Sequence, residues 1–165
     1  MQHFDCGQLN LIGYSDADWA NDVDDRHSIT GTLFMMSNGA VSWNSKKQAV
    51  VSLSTAEAEY VALSSTTQEA IWLKRLLCDL GTVSDIPVLL MEDNRAAIAI
   101  ARNPVGHART KHIDVRYHFA REAVANGQIK LQYCQTRAMI ADILTKAISK
   151  VQFEKLRLLL GLCEM

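Results

Sequence analysis

The first half of the chain alternates apolar and polar positions in stretches typical of β-strands. Residues 9–15 predict a first strand that leads into Asp16. Two further apolar stretches, residues 31–37 and 40–43, flank Asn38-Gly39. Because this pair tolerates positive φ, it predicts a β-hairpin.

A long amphipathic helix is predicted after the hairpin. Ser54 and Glu57 have the spacing of a capping box, which marks a helix start. Apolar residues then recur every three or four positions until Gly81, which predicts the helix end. Trp72 lies on this apolar stripe and Trp43 lies in the hairpin, so both are expected to be core residues.

The second half of the chain predicts strands that alternate with helices. The expected strands are 88–91 and 129–134, and the expected helices are 94–102, 113–126, 139–148 and 153–160. A hairpin followed by alternating strands and helices implies a mixed sheet covered by helices. The sequence has no repeats or linker-like segments, so we expect a single domain over residues 1–165 with its core at about 9–160.

Composition narrows the class of protein. Apolar residues make up 48% of the chain, which excludes wholesale disorder. No apolar run reaches the roughly 18 residues that cross a bilayer, and the N-terminal residues lack the pattern of a secretory signal. The four cysteines are widely spaced, which favours free thiols in a reducing compartment. We therefore expect an intracellular protein without membrane contact.

Charge is divided unequally between the two parts of the chain. Residues 1–101 contain 6 Lys and Arg against 13 Asp and Glu, a balance of −7. Residues 102–165 contain 11 against 5, a balance of +6. This division suits a protein that combines an acidic site with a surface for a polyanion, although solvated charge of no function would give the same numbers.

Four carboxylates stand at positions where sites commonly form. Asp16 follows the first strand, Glu59 lies early in the long helix, Asp93 follows the fourth strand, and Asp142 lies in the helix after the fifth. In open α/β sheets, sites collect at strand ends. Grouped carboxylates repel each other unless cations hold them, and Mg²⁺ prefers oxygen ligands. For each acid alone, the alternative is an ordinary surface residue.

Longer stretches around these acids resemble a known family. The strings YSDAD, AEYVAL, MEDNRAAI and IADILTKA, which begin at residues 14, 58, 91 and 140, resemble in order the acid-bearing motifs of ribonuclease H. Over residues 11–160 the amino-acid sequence is similar to that of the ribonuclease H domain of copia-type retrotransposon Pol polyproteins. Because several long motifs agree in order and spacing, the resemblance is specific.

The resemblance implies an α/β ribonuclease H-like fold with a five-stranded mixed sheet in the order 3-2-1-4-5, flanked by helices. It implies a catalytic site in which Asp16, Glu59, Asp93 and Asp142 bind two Mg²⁺ ions, or Mn²⁺ in their place. The implied reaction is endonucleolytic cleavage of the RNA strand of RNA–DNA hybrids. The nearby acids Asp18, Glu57 and Glu92 are not excluded as ligands by one sequence.

Candidate contacts to nucleic acid lie close to the same motifs. Asn94 is a candidate reader of the RNA 2′-hydroxyl, and capping of the following helix is an equal alternative. By the resemblance, HARTKHIDVRYH, which begins at residue 107, supplies contacts to phosphates. The complete set is Lys46, Lys47, Asn94, Arg109, Lys111, His112 and Arg116. An ordinary solvated face is the alternative for the cations.

The chain departs from cellular ribonucleases H in one segment. Those enzymes often carry a histidine-bearing loop before the last acidic helix, whereas residues 135–138 contain no histidine. The histidines at 107, 112 and 118 do not predict a zinc site, because their spacing is unusual and no cysteine pair accompanies them.

The expected partners are an RNA–DNA hybrid and the reverse transcriptase domain of the same polyprotein, and the isolated domain is expected to be a monomer. The expected location is the cytoplasm, within virus-like particles, or the nucleus. The competing hypothesis is a non-catalytic, domesticated module that binds nucleic acid or supports a reverse transcriptase.

Overall fold

The computed structural model describes residues 10–22, 24–82, 86–103 and 118–162. Five strands and four α-helices lie within these ranges. The strands are β1 (Ile12–Asp18), β2 (Ile29–Met36), β3 (Gly39–Lys47), β4 (Val88–Glu92) and β5 (Ile129–Tyr133). The helices are α1 (Thr55–Asp79), α2 (Arg95–Arg102), α3 (Phe119–Ala125) and α4 (Lys150–Leu159).

The five strands form one mixed sheet in the order β3-β2-β1-β4-β5. The pairs β1–β2 and β2–β3 are antiparallel, whereas β1–β4 and β4–β5 are parallel. The fold class and strand order expected from the resemblance are therefore confirmed. In this register Asp16 lies opposite Gly31 on one side and Ser15 lies beside Glu92 on the other.

The β2–β3 hairpin turns one residue earlier than the sequence suggests. Ser37 and Asn38 are the two loop residues, with φ of +50° and +64°, and Gly39 is already the first residue of β3. Two consecutive positive φ values define a type I′ turn, whose twist matches that of the strands. The hairpin is thus confirmed, with Ser37 taking the position assigned to Asn38.

Helix α1 begins and ends as the sequence predicts. The Ser54 hydroxyl accepts the Glu57 N–H at 3.2 Å, and the Glu57 carboxylate accepts the Leu53 N–H at 2.9 Å. At the other end Gly81 has φ +69° and its N–H donates to the Cys78 carbonyl. Both ends therefore satisfy backbone groups that a helix terminus leaves without partners.

The two faces of the sheet carry cores of different size. The larger core packs α1, α2 and α3 against one face and includes buried residues such as Phe34, Leu63 and Leu90. The smaller core covers the other face and consists of Leu33, Met35, Cys134, Met139, Ile140, Ala141 and Leu160.

The predicted α-helix at 139–148 is wrong. The chain forms two short 3₁₀ segments instead, Thr136–Ala138 and Ile140–Leu144. The reason is burial: the four consecutive residues from Met139 to Asp142 are all buried, which a one-sided surface helix does not allow. A new helix, α4, then begins after the Ser149 cap, earlier than residue 153.

Two tryptophans expected in the core are exposed. Trp43 is 64% exposed on the edge strand β3, and Trp72 is 56% exposed on α1. None of the β3 residues is buried, and the buried residues of α1 end at Leu73, so both tryptophans lie at the margin of the core. The core assignment of both residues was therefore wrong.

Candidate metal centre

Three elements bring acidic side chains to one end of the sheet. Asp16 lies in β1, Asp93 directly follows β4, and Glu59 is the fifth residue of α1. Each offers a carboxylate oxygen, and these oxygens all lie within 4.8 Å of one another. We call Asp16, Glu59 and Asp93 the acidic trio.

Burial makes negative charge on the acidic trio costly. Asp16 is fully buried and Glu59 is 6% exposed. Burial, followed by repulsion from Glu92, Asp16 and Asp93, raises the pKa of Glu59 from 4.5 to about 11. Without a cation, Glu59 therefore holds a proton at neutral pH, and a bound cation would have to displace it.

The acidic trio fits a hard divalent cation. Its donors are all carboxylate oxygens, the ligands that Mg²⁺ and Mn²⁺ accept in proteins. The Glu59 Oε2 atom is buried and has no hydrogen-bond partner among the described residues. A buried polar atom without a partner is costly, and a cation at this position would remove that cost.

Asp142 lies beside Asp16 on the face of the sheet opposite α1. The Lys146 Nζ atom lies 2.8 Å from Asp16 Oδ1 and 2.8 Å from Asp142 Oδ1. We call Asp16 and Asp142, joined by Lys146, the lysine-bridged pair. Burial raises the pKa of Asp142 to about 6, although its hydrogen bond to Lys146 acts in the other direction.

Gly31 allows the Asp142 segment to lie this close to the sheet. A Cβ atom on Gly31 would stand 2.6 Å from Thr145 Cγ2 and 3.0 Å from the Ala141 carbonyl oxygen. Gly31 is also the register partner of Asp16. The absence of a side chain on β2 therefore lets Asp142 reach Asp16.

Glu92 is a further carboxylate beside the centre, and it is fully buried. Its Oε1 atom accepts the Asn94 N–H at 3.0 Å, and its Oε2 atom has no partner among the described residues. Burial and the nearby carboxylates of Asp93 and Asp16 raise its pKa well above the usual value. Glu92 is not one of the three residues whose oxygens converge, and it contacts the turn that carries Asp93.

The four acids were predicted from the sequence as site residues, whereas Lys146 was not. The signal was present, because Asp142 and Lys146 stand four residues apart, the spacing of neighbouring side chains on one helical face. Asp18 and Glu57, the other acids left open, do not belong to the converging group. Glu57 instead caps the start of α1, where its carboxylate accepts the Leu53 N–H.

Three of the predicted nucleic-acid contacts lie in the described part of the chain. Asn94 caps α2, because its side-chain oxygen accepts the N–H groups of Ala96 and Ala97. The Lys47 ammonium lies 2.7 Å from carboxylate oxygens of both Asp22 and Asp25. The remaining predicted contacts, Arg109, Lys111, His112 and Arg116, lie outside the described residues.

Lys46 lies beside a polar cleft between the hairpin and α1. Hydroxyl and amide side chains from both elements line this cleft together with lysine side chains. The lining includes Thr30, Thr32, Asn44, Lys46, Gln48 and Gln68. Such a surface offers hydrogen-bond donors to a phosphate backbone.

Comparison with solved structures defines the class of the fold. The N-terminal RNase H domain of Rv2228c from Mycobacterium tuberculosis superposes with a TM-score of 0.58 over 90% of this chain and 99% of that domain, at 12% identity. This similarity, with the strand order above, shows that the chain has the ribonuclease H fold.

Sequence comparison then identifies the relatives. The chain is 48% identical over 152 residues to the retrovirus-related Pol polyprotein from transposon TNT 1-94 of Nicotiana tabacum, and 39% identical over 157 residues to that from transposon RE2 of Arabidopsis thaliana. These matches cover 92% and 95% of this chain. Its homologues are therefore retrovirus-related Pol polyproteins of plant transposons, which confirms the family resemblance.

The matched relatives are much longer than this chain. The chain spans about a tenth of the length of these relatives, 11% in each case. No family model matches it. Within the described residues, none of the helices combines the length and the apolar character that crossing a membrane requires.

Proposed function

We propose that this domain is a metal-dependent endoribonuclease that cleaves the RNA strand of RNA–DNA hybrids. It would act as the ribonuclease H part of a retrotransposon Pol polyprotein, next to the reverse transcriptase of the same polyprotein. The observation that supports the proposal most directly is the acidic trio, in which three elements bring carboxylate oxygens within 4.8 Å of one another.

The residues of the centre have separate parts in the proposed reaction. Asp16, Glu59 and Asp93 would hold one divalent cation, and Asp16 with Asp142 would hold a second. When bound, such cations lower the pKa of an attacking water and neutralise the leaving 3′-oxygen of the RNA. Because Asp16 is fully buried between the two groups, its position is set by the sheet and not by the substrate.

Surrounding residues would orient the hybrid. Lys46 and the polar cleft beside it would hold phosphates of the DNA strand. Asn94 stands next to Asp93, but its side-chain oxygen already caps α2. Its side-chain NH₂ group therefore remains as the part that could donate to a 2′-hydroxyl.

Cleavage of a labelled hybrid tests the proposal. The purified domain is incubated with an RNA–DNA hybrid in Mg²⁺ or Mn²⁺, with EDTA as the metal-free control and duplex DNA as the substrate control. We expect cleavage of the RNA strand alone, lost in EDTA. The Asp93→Asn variant should be inactive, whereas Glu154→Gln, at an exposed acid on α4, should retain activity.

The alternative is a module that binds the hybrid without cutting it. Binding of the hybrid by the folded protein, with no cleavage in either metal, would support that alternative. It would also leave the acidic trio without a catalytic role.

A further inference from the structure

Lys146 places a positive charge between two carboxylates of the centre. Its Nζ atom lies 2.8 Å from an oxygen of Asp16 and 2.8 Å from an oxygen of Asp142. The side chain is only partly exposed, and Asp16 is fully buried. A single cation shared by two acidic groups is also the arrangement expected for a second divalent ion at this position.

The other oxygen of Asp16 is also engaged from this side. The hydroxyl group of Thr145 donates a hydrogen bond to Asp16 Oδ2, while Lys146 contacts Oδ1. Thr145 and Lys146 therefore hold both oxygens of Asp16 in the described structure. Glu59, another member of the acidic trio, differs from Asp16, because its Oε2 atom is buried without a partner among the described residues.

We propose that Lys146 is a built-in cation that occupies the second metal position and that a second divalent ion must displace. The centre would then bind one divalent ion firmly, at the acidic trio, and a second ion weakly, in competition with the Lys146 ammonium group. This inference rests on the proposed function, because it concerns the same centre.

The charges at the position support this competition. The Lys146 ammonium group lies 2.8 Å from a carboxylate oxygen of Asp16 and of Asp142, the distance of a direct ion pair. A divalent ion near Asp16 and Asp142 would face this ammonium group at short range and would repel it. Lys146 stands at the edge of the centre and is partly exposed, so its side chain can swing out to water.

Binding of Mn²⁺ without substrate tests the inference. Isothermal titration would compare the wild-type domain with Lys146→Met and with the matched control Lys150→Met, at an exposed lysine on α4. In the wild type and the control we expect one firm and one weaker Mn²⁺. In Lys146→Met the weaker site should bind roughly tenfold tighter or more, because the competing charge is gone.

Thermal unfolding separates this role from a merely structural one. Lys146→Met should unfold at a lower temperature than the wild type in EDTA, since two buried carboxylates lose their counter-ion. Mn²⁺ should raise its unfolding temperature by more than it raises that of the wild type. A purely structural lysine would lower both temperatures and leave the Mn²⁺-induced increase unchanged, which would overturn the inference.

A measurement on the wild type alone covers the case in which Lys146→Met does not fold. The ¹⁵N NMR signal of the Lys146 ammonium group should be unaffected by the first equivalent of Mg²⁺ and should shift towards that of a free lysine with the second. A shift at the first equivalent, or two sites of equal affinity in the wild type, would overturn the inference. Failure to bind any divalent ion would instead overturn the proposed function and this inference with it.

Discussion

The acidic trio and the lysine-bridged pair share Asp16 but neutralise their charge in different ways. In the pair, a lysine lies 2.8 Å from both carboxylates. In the trio, Glu59 has a pKa raised to about 11 and a buried oxygen without a partner among the described residues. Lys146 therefore neutralises the carboxylates of the pair, whereas the charge of Glu59 in the trio depends on a proton or on an external cation. The trio and the pair both consist of carboxylates, but they differ in how far they depend on a bound metal ion.

The largest expected effect separates the two groups by mutation. Asp93→Asn should reduce hybrid cleavage on the order of a thousandfold, because it removes a ligand whose cation supplies several kcal/mol. The same variant should be slightly more stable than the wild type in EDTA, since it relieves repulsion within the trio. Cleavage rates and thermal unfolding in EDTA measure the two outcomes.

Asp16→Asn provides the contrast. It should reduce cleavage to a similar extent, but it should lower the unfolding temperature in EDTA, because Lys146 loses one of its two buried partners. If Asp16→Asn and Asp93→Asn changed metal-free stability in the same direction, the distinction between the trio and the pair would be wrong.

The second effect acts on the pair alone. Gly31→Ala should destabilise the domain by about 1–3 kcal/mol, because the added methyl group would overlap Thr145 and the Ala141 carbonyl. The displaced segment carries Asp142 and Lys146, so cleavage should fall while binding of the first Mn²⁺ at the trio persists. Urea unfolding measures the loss of stability, and Mn²⁺ titration measures binding at the trio.

Gly39→Ala is the matched control for this substitution. The nearest atom to a Cβ there lies 3.8 Å away, which is ordinary van der Waals contact. Equal loss of stability in the two variants would show that the cost comes from the glycine backbone and not from the close approach of the Asp142 segment.

The two faces of the sheet also differ in how well the sequence predicts them. On the α1 face, periodicity and capping residues predict the helix ends, and Ser54, Glu57 and Gly81 act as expected. These signals are local, so they can be recognised in one sequence. The positions of Asp16, Glu59 and Asp93 followed from strand ends and family motifs, and the structure brings their oxygens together.

The opposite face depends on contacts that are distant in sequence. The segment 139–148 has helix-compatible residues, but its conformation is set by packing against β2, more than 100 residues earlier, where Gly31 allows the approach. Ion pairing of Lys146 with Asp16 spans 130 positions. No local pattern reports such contacts, which is why the helix prediction failed and why the contact of Lys146 with Asp16 was not predicted.

The third prediction uses pH to test the protonation of the trio. The folded-state pKa of Glu59, about 11, lies above its ordinary value of 4.5. The unfolded chain therefore releases this proton at lower pH, so Glu59 makes stability fall as pH rises between these two values. In EDTA, unfolding free energy should decrease from pH 6 to pH 9, and Glu59→Gln should reduce that slope.

Divalent ions should reverse this dependence. Binding at the trio requires loss of the Glu59 proton, so Mn²⁺ affinity should increase with pH and binding should release protons. Titrations in buffers of different ionisation enthalpy measure the number of protons released. If the unfolding free energies of the wild type and of Glu59→Gln depended equally on pH in EDTA, the proton would not reside on Glu59.

The smallest expected effect concerns two adjacent lysines on β3. Lys46 and Lys47 both line the polar cleft, but the Lys47 ammonium group is already shared by Asp22 and Asp25 at 2.7 Å. If Lys46 contacts a phosphate of the hybrid, Lys46→Ala should weaken binding and flatten the log–log dependence of affinity on salt by roughly 0.7–0.9. Lys47→Ala should change the slope less, because Asp22 and Asp25 compete with phosphate for its charge.

Fluorescence anisotropy with a labelled hybrid in Ca²⁺, at several salt concentrations, measures both slopes against Lys150→Ala. A larger change in the salt dependence for Lys47→Ala than for Lys46→Ala would show that the hybrid displaces the two aspartates. It would assign the phosphate contact to Lys47.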